Sequence, residues 1–107
     1  MYNIGDIIIY RKNINSKSEF VKIKDVHFDS PDGDIYYTIC FSDNSERQTI
    51  SSKLGGPRFI ENEIVYYKNI YKAKILNSSK IDYCIQLVDF PEIIKYTIEK
   101  YLSYDLF

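Results

Sequence analysis

The chain repeats itself. Glu63-Ile64-Val65-Tyr66-Tyr67-Lys68 lies over Asp6-Ile7-Ile8-Ile9-Tyr10-Arg11, and Ala73-Lys74-Ile75 lies over Val21-Lys22-Ile23. Tyr83 to Asp89 lies over Tyr37 to Asp43, and Thr97, Ile98 and Leu102 lie over Thr49, Ile50 and Leu54. Four blocks in the same order, with the same spacing and strand-like composition, call for two small β units. Gly55-Gly56-Pro57 breaks the pattern between them, so the expected units are 1–56 and 57–107.

In the first copy the expected strands are Asp6–Arg11, Glu19–His27, Ile35–Phe41 and Glu46–Ile50. In the second of these, Val21 and Ile23 alternate with Lys22 and Lys24, the mark of one buried and one wet face. Ile35–Phe41 is β-branched or aromatic in six of seven places, which suits a strand. The turns are Asp29-Ser30-Pro31-Asp32-Gly33-Asp34 and Ser42-Asp43-Asn44-Ser45, and Ser51–Leu54 reads as one 3₁₀-like turn. The second copy has shorter loops after its first two strands and a longer turn, Asp89–Ile93. Phe90–Ser103 supports two readings. Asp89 with Glu92 resembles a capping box, and Ile94, Ile98 and Tyr101 sit at helical spacing. β-branched Ile93, Ile94, Thr97 and Ile98 favour a strand followed by a one-turn helix at 99–102, and the repeat selects that reading.

Each copy is small enough to be marginal alone. Ile7 and Ile9 oppose Ile8 and Tyr10 across the first strand, as Ile64 and Tyr66 oppose Val65 and Tyr67, so both faces are apolar and both are expected to be covered, by the other unit or by a partner. Residues 1–56 alone are therefore expected to unfold or aggregate.

Composition excludes several functions. The net charge is −1, with Lys+Arg 14 against Asp+Glu 15, so nothing draws nucleic acid to the chain as a whole. No apolar run reaches bilayer length and no signal-peptide pattern is present. Cys40 and Cys84 read as reduced thiols, the usage of an intracellular protein, nuclear or cytoplasmic. The only histidine, His27, has no motif partner, Gly55-Gly56-Pro57 is no phosphate loop, and no Cys/His spacing suits zinc. Asp29, Asp32 and Asp34 lack the spacing of a calcium loop. No enzyme activity and no cofactor are expected.

Ile4-Gly5-Asp6 before an apolar run, Val26-His27-Phe28-Asp29 before a polar loop, Tyr36-Tyr37-Thr38-Ile39 and Glu46-Arg47-Gln48-Thr49 with a closing Leu54 resemble the small SH3-like barrels of the Tudor/agenet family. The resemblance covers residues 4–54 and implies an all-β chain of two five-stranded barrels in tandem. It also implies a protein-interaction module that binds a basic or methylated segment, such as a histone tail. Aromatic side chains would surround the cation through cation–π attraction. By position, Tyr10, Phe28, Tyr36 and Tyr37 would supply that wall in the first copy, with Asp29 or Asp34 beside it. Tyr67, Tyr71, Tyr83 and Tyr96 are the matching set in the second. Tyr37 alternates with Ile39 and Phe41 and is expected in the core, leaving Tyr36 as the ligand contact.

Two other classes fit less closely. Lys22, Lys24, Lys72 and Lys74, with tyrosines nearby, form a possible nucleic-acid face. Open strand edges would suit a scaffold, for example in a cytoskeletal or centrosomal assembly, bound by strand addition.

Overall fold

The computed structural model describes residues 1–79 and 81–106. Among them are nine strands and two single-turn 3₁₀ helices, with no α-helix. The chain divides into two compact units, Met1–Gly56 and Pro57–Phe107.

The first unit holds β1 (Ile7–Tyr10), β2 (Glu19–His27), β3 (Tyr36–Cys40) and β4 (Glu46–Ile50), then a 3₁₀ turn at Ser51–Lys53. The strands form one antiparallel sheet in the order β1-β2-β3-β4. The second unit holds β5 (Ile64–Tyr67), β6 (Tyr71–Ser78), β7 (Tyr83–Leu87) and β8 (Ile94–Thr97). A 3₁₀ turn at Glu99–Tyr101 leads into β9 (Leu102–Ser103), and the sheet order is β8-β7-β6-β5-β9. Phe90–Ser103 is thus strand and turn, not one helix. Its β-branched residues sit on an extended backbone on which Ile94, Lys95 and Tyr96 are exposed and Thr97 is buried.

The expected closed five-stranded barrels are not formed. Each ladder is open, with β1 and β4 at the edges of one sheet and β8 and β9 at the edges of the other. In the first unit the 3₁₀ turn returns only one residue to β1, an isolated bridge between Leu54 and Tyr10, so that sheet has four strands. In the second, two residues return, pairing Leu102 with Tyr67 and Ser103 with Tyr66. Returning segments of one or two residues cannot build the continuous pairing that a closed barrel requires.

The inward positions are the repeated ones. Tyr10, Val21, Ile23, Tyr37, Ile39 and Leu54 make one core. Tyr67, Ala73, Ile75, Tyr83, Ile85 and Leu102, joined by Phe59, Val65 and Leu87, make the other. Thr49 and Thr97 are buried at matching places. Each full burial of an Ile or Val side chain contributes about 1.5–3 kcal/mol. On the outward face Ile7 is 65% exposed and Ile64 42%.

The correspondence extends further back than the blocks seen in the sequence. Gly5 N–H donates to Ile23 carbonyl at 2.8 Å, and Asn62 N–H donates to Ile75 carbonyl at 2.8 Å. Both residues have positive φ, +94° and +73°, a conformation open to glycine and tolerated by asparagine. The carboxylate of Asp6 accepts the Asn3 N–H, and that of Glu63 accepts the Ile60 N–H. Tyr2 then meets the Tyr37 ring edge-on at 5.6 Å, as Phe59 meets Tyr83 at 5.7 Å. The ladders are irregular at the same place too, between Ile23 and Asp25 and between Ile75 and Asn77.

One buried side-chain oxygen among the described residues is unsatisfied. The Thr49 hydroxyl has no partner among the described residues. A buried hydroxyl without a partner is destabilising. Thr49→Val is therefore expected to raise stability by about 1 kcal/mol, read as a higher urea midpoint with unchanged slope.

Candidate binding surfaces

At one end of the first sheet, β2 and β3 meet at the pair His27–Tyr36. Tyr37 and Ile39 face the core, so alternation turns Tyr36 and Thr38 to the other face. His27 shares that face. Its ring stacks on Tyr36 at 4.5 Å and 19°, and its Nε2 lies 2.7 Å from Thr38 Oγ1. The Tyr36 hydroxyl donates to Asp29 Oδ1 at 2.7 Å. That bond lowers the Asp29 carboxyl below its ordinary value and raises the Tyr36 hydroxyl above its own. Ser30 does the same for Asp32. Phe28 stands 65% exposed beside this group. Asp34 lines a separate cavity of about 730 Å³ with Tyr2, Ile35, Tyr37 and Ile50.

The opposite end of the same sheet carries Tyr10, paired with Glu19 at the start of β2. Glu19 and His27 are the two ends of this nine-residue strand, on the order of 25 Å apart at ordinary strand rise. Phe28, Asp29 and Tyr36 therefore come together, Asp34 lies further along the same loop and lines the separate cavity, and Tyr10 joins none of them. Tyr10 is 3% exposed, edge-on to Phe41 at 5.6 Å, and its hydroxyl accepts from Arg47 at 3.3 Å. It forms part of a cleft of about 400 Å³, with Glu19, Phe41, Asp43 and Arg47 and the lysines Lys12 and Lys17.

The second unit has a cleft of about 390 Å³ in the corresponding place. Buried Tyr67 and Leu87 line it where Tyr10 and Phe41 line the first. Tyr71 replaces Glu19, and Lys95 replaces Arg47. Ile93 replaces Ser45: the Leu87 N–H donates to Ile93 carbonyl as the Phe41 N–H donates to Ser45 carbonyl. Phe90, from the longer turn, completes the wall, and the remaining lining residue is Lys68. Of the four tyrosines expected here, Tyr67 and Tyr71 meet in this cleft. Tyr83 is buried at the far end of β7, where its hydroxyl accepts from Arg58 N–H at 3.0 Å and burial raises its pKa. Tyr96 is 79% exposed and faces away, since its strand neighbour Thr97 points inward.

No protein-family model matches this chain, and no curated protein does. Among the described residues no group of three or more His, Cys, Asp or Glu could hold a metal ion, and no helix is long and apolar enough to cross a membrane. Of the four strand lysines, Lys24 is engaged in an ion pair with Glu46.

Reasoning from sequence missed Phe90, Leu87, Lys68 and Lys95. One signal was available. Lys95 lies two residues before Thr97, so strand alternation puts it on the inward face.

Proposed function

We propose that the chain is a non-enzymatic protein-interaction module whose first unit receives a basic segment of a partner protein. The observation that carries it is the Asp29–Tyr36–His27 arrangement. A hydrogen bond and a ring stack hold a carboxylate and an aromatic ring side by side on an accessible sheet end. Exposed Phe28 adds apolar area. The loop 28–35 holds three aspartates and no lysine or arginine, so its field favours cations. A lysine or methylated lysine would gain cation–π attraction from the ring and charge attraction from Asp29, with Asp34 on the same loop adding to the negative field. The two units are read as open SH3-like folds related to the Tudor/agenet type. The support is the strand order of each unit and the 3₁₀ turn that leads the chain back to its first strand.

Titration with histone-tail peptides, unmodified and trimethylated on lysine, tests the reading. Asp29→Asn and Tyr36→Ala are each expected to weaken binding about tenfold, with little change in thermal stability. Unchanged binding by both variants would remove this site.

The pH dependence has a definite sign. The Asp29 carboxyl is lowered from 3.8 by Tyr36. The bond therefore contributes at pH above that value and is lost as pH falls through the lowered one. Tyr36→Phe is expected to move the Asp29 titration back up toward 3.8, followed through the carboxyl carbon by magnetic resonance.

A further inference from the structure

We propose that the cleft of the second unit binds an acidic peptide segment anchored by an aromatic side chain. This does not depend on the reading of the first unit, because the residues are different and the ligand has the opposite charge.

The first observation is the charge of the lining. Among the described residues, the charged ones lining it are Lys68 and Lys95. Neither has a carboxylate partner among the described residues. The Lys68 ammonium is held 5.4 Å from the Tyr67 ring centre and 5.6 Å from that of Tyr101, so it is positioned rather than free to sweep through solvent. Lys95 is paired across the sheet with Ile85, which is fully buried, so it rises from the inward face of β8. A methylated or unmodified basic residue entering here would meet two like charges and no acid. An acidic residue would meet two cations.

The second observation is the comparison within the chain. The matching cleft of the first unit sets two acids, Glu19 and Asp43, beside its cations Lys12, Lys17 and Arg47. In the second unit Tyr71 stands where Glu19 is and Ile93 where Ser45 is, while Phe90 comes from the longer turn. The substitutions remove an acid, add apolar wall and keep a cation at the Arg47 position. Tyr71 and Phe90 remain 41% and 46% exposed, and an aromatic side chain set between them would cover both. About 390 Å³ is room for one large side chain and its flanking backbone. A peptide fits better than a nucleic acid strand, whose phosphates need a longer row of cations than two lysines supply.

The experiment uses the full chain, isotopically labelled. Four probes are added in turn: a blocked peptide with a central phenylalanine flanked by aspartates, the same peptide flanked by lysines, a trimethyl-lysine peptide, and a short oligothymidine. The aspartate-flanked peptide is expected to give saturable shifts at Tyr71, Leu87, Phe90 and Ile93. Lys95→Glu should weaken it about tenfold, and Lys95→Arg should restore it. Thermal melts of both variants should match the parent. Stronger cleft shifts with the lysine-flanked or trimethyl-lysine peptide would overturn the proposal, as would saturation by oligothymidine. If no probe shifts these residues, the cleft is not a peptide site and Lys95 serves only to guard the edge strand against pairing. Shifts confined to Asp29 and Tyr36 would count against this proposal while leaving the reading of the first unit intact.

Discussion

Tyr37→Ala is expected to cost about 3–5 kcal/mol of folding free energy, the usual loss for truncating a large buried aromatic. Tyr37 is 2% exposed and packs among Val21, Ile23, Ile39 and Leu54. It also anchors the start of the chain: its hydroxyl accepts the Tyr2 N–H at 3.3 Å, and its ring meets Tyr2 edge-on. Tyr2 in turn donates to the Leu54 carbonyl at 3.3 Å. The substitution thus removes core volume and frees the segment that ties β1 to the closing turn. Tyr37→Phe keeps the volume and loses only the hydroxyl, and should cost about 1 kcal/mol. Tyr36→Ala, one residue away on the other face, should leave stability nearly unchanged. Urea unfolding of the three variants checks the order. Equal losses at 36 and 37 would contradict the alternation of β3.

Ile85→Ala is the second large effect, about 2–5 kcal/mol, the range for deleting a buried isoleucine. Ile85 is fully buried and lies at the middle of β7, paired with Ile75 on one side and Lys95 on the other. The cavity would open beneath the inward face that also carries Lys95. Ile39→Ala is the matching change in the first unit, where Ile39 is equally buried between Ile23 and Arg47. The two substitutions should destabilise by similar amounts, because the repeat puts both residues in the same environment. Hydrogen exchange on each variant should show the loss of protection centred on its own unit. Loss centred on the other unit would contradict two separate cores.

Much of the framework is legible in the amino-acid sequence. Val21, Ile23, Tyr37 and Ile39 alternate with polar residues, and burial follows that alternation because strand side chains point to opposite faces in turn. The Thr97 to Leu102 spacing, matched to Thr49 and Leu54, was enough to choose strand over helix at Phe90–Ser103. The repeat itself ran further than its visible blocks. Asn62 takes the place of Gly5 and Phe59 that of Tyr2, which share backbone geometry and packing but not residue type.

What tertiary structure decided is which ends meet. Tyr10 and Tyr36 both lie next to turns in sequence, yet β2 separates them along its length, so they belong to opposite ends of one sheet. Closure of the sheets was also decided there, by how few residues the 3₁₀ turns return to the first strand of each unit. The cleft of the second unit gathers Tyr71, Leu87, Phe90 and Lys95 from three strands and a turn. Local pattern states which face a side chain takes, because that depends on its own backbone. Which side chains converge depends on register between strands far apart in the chain, and register is set only when the cores pack.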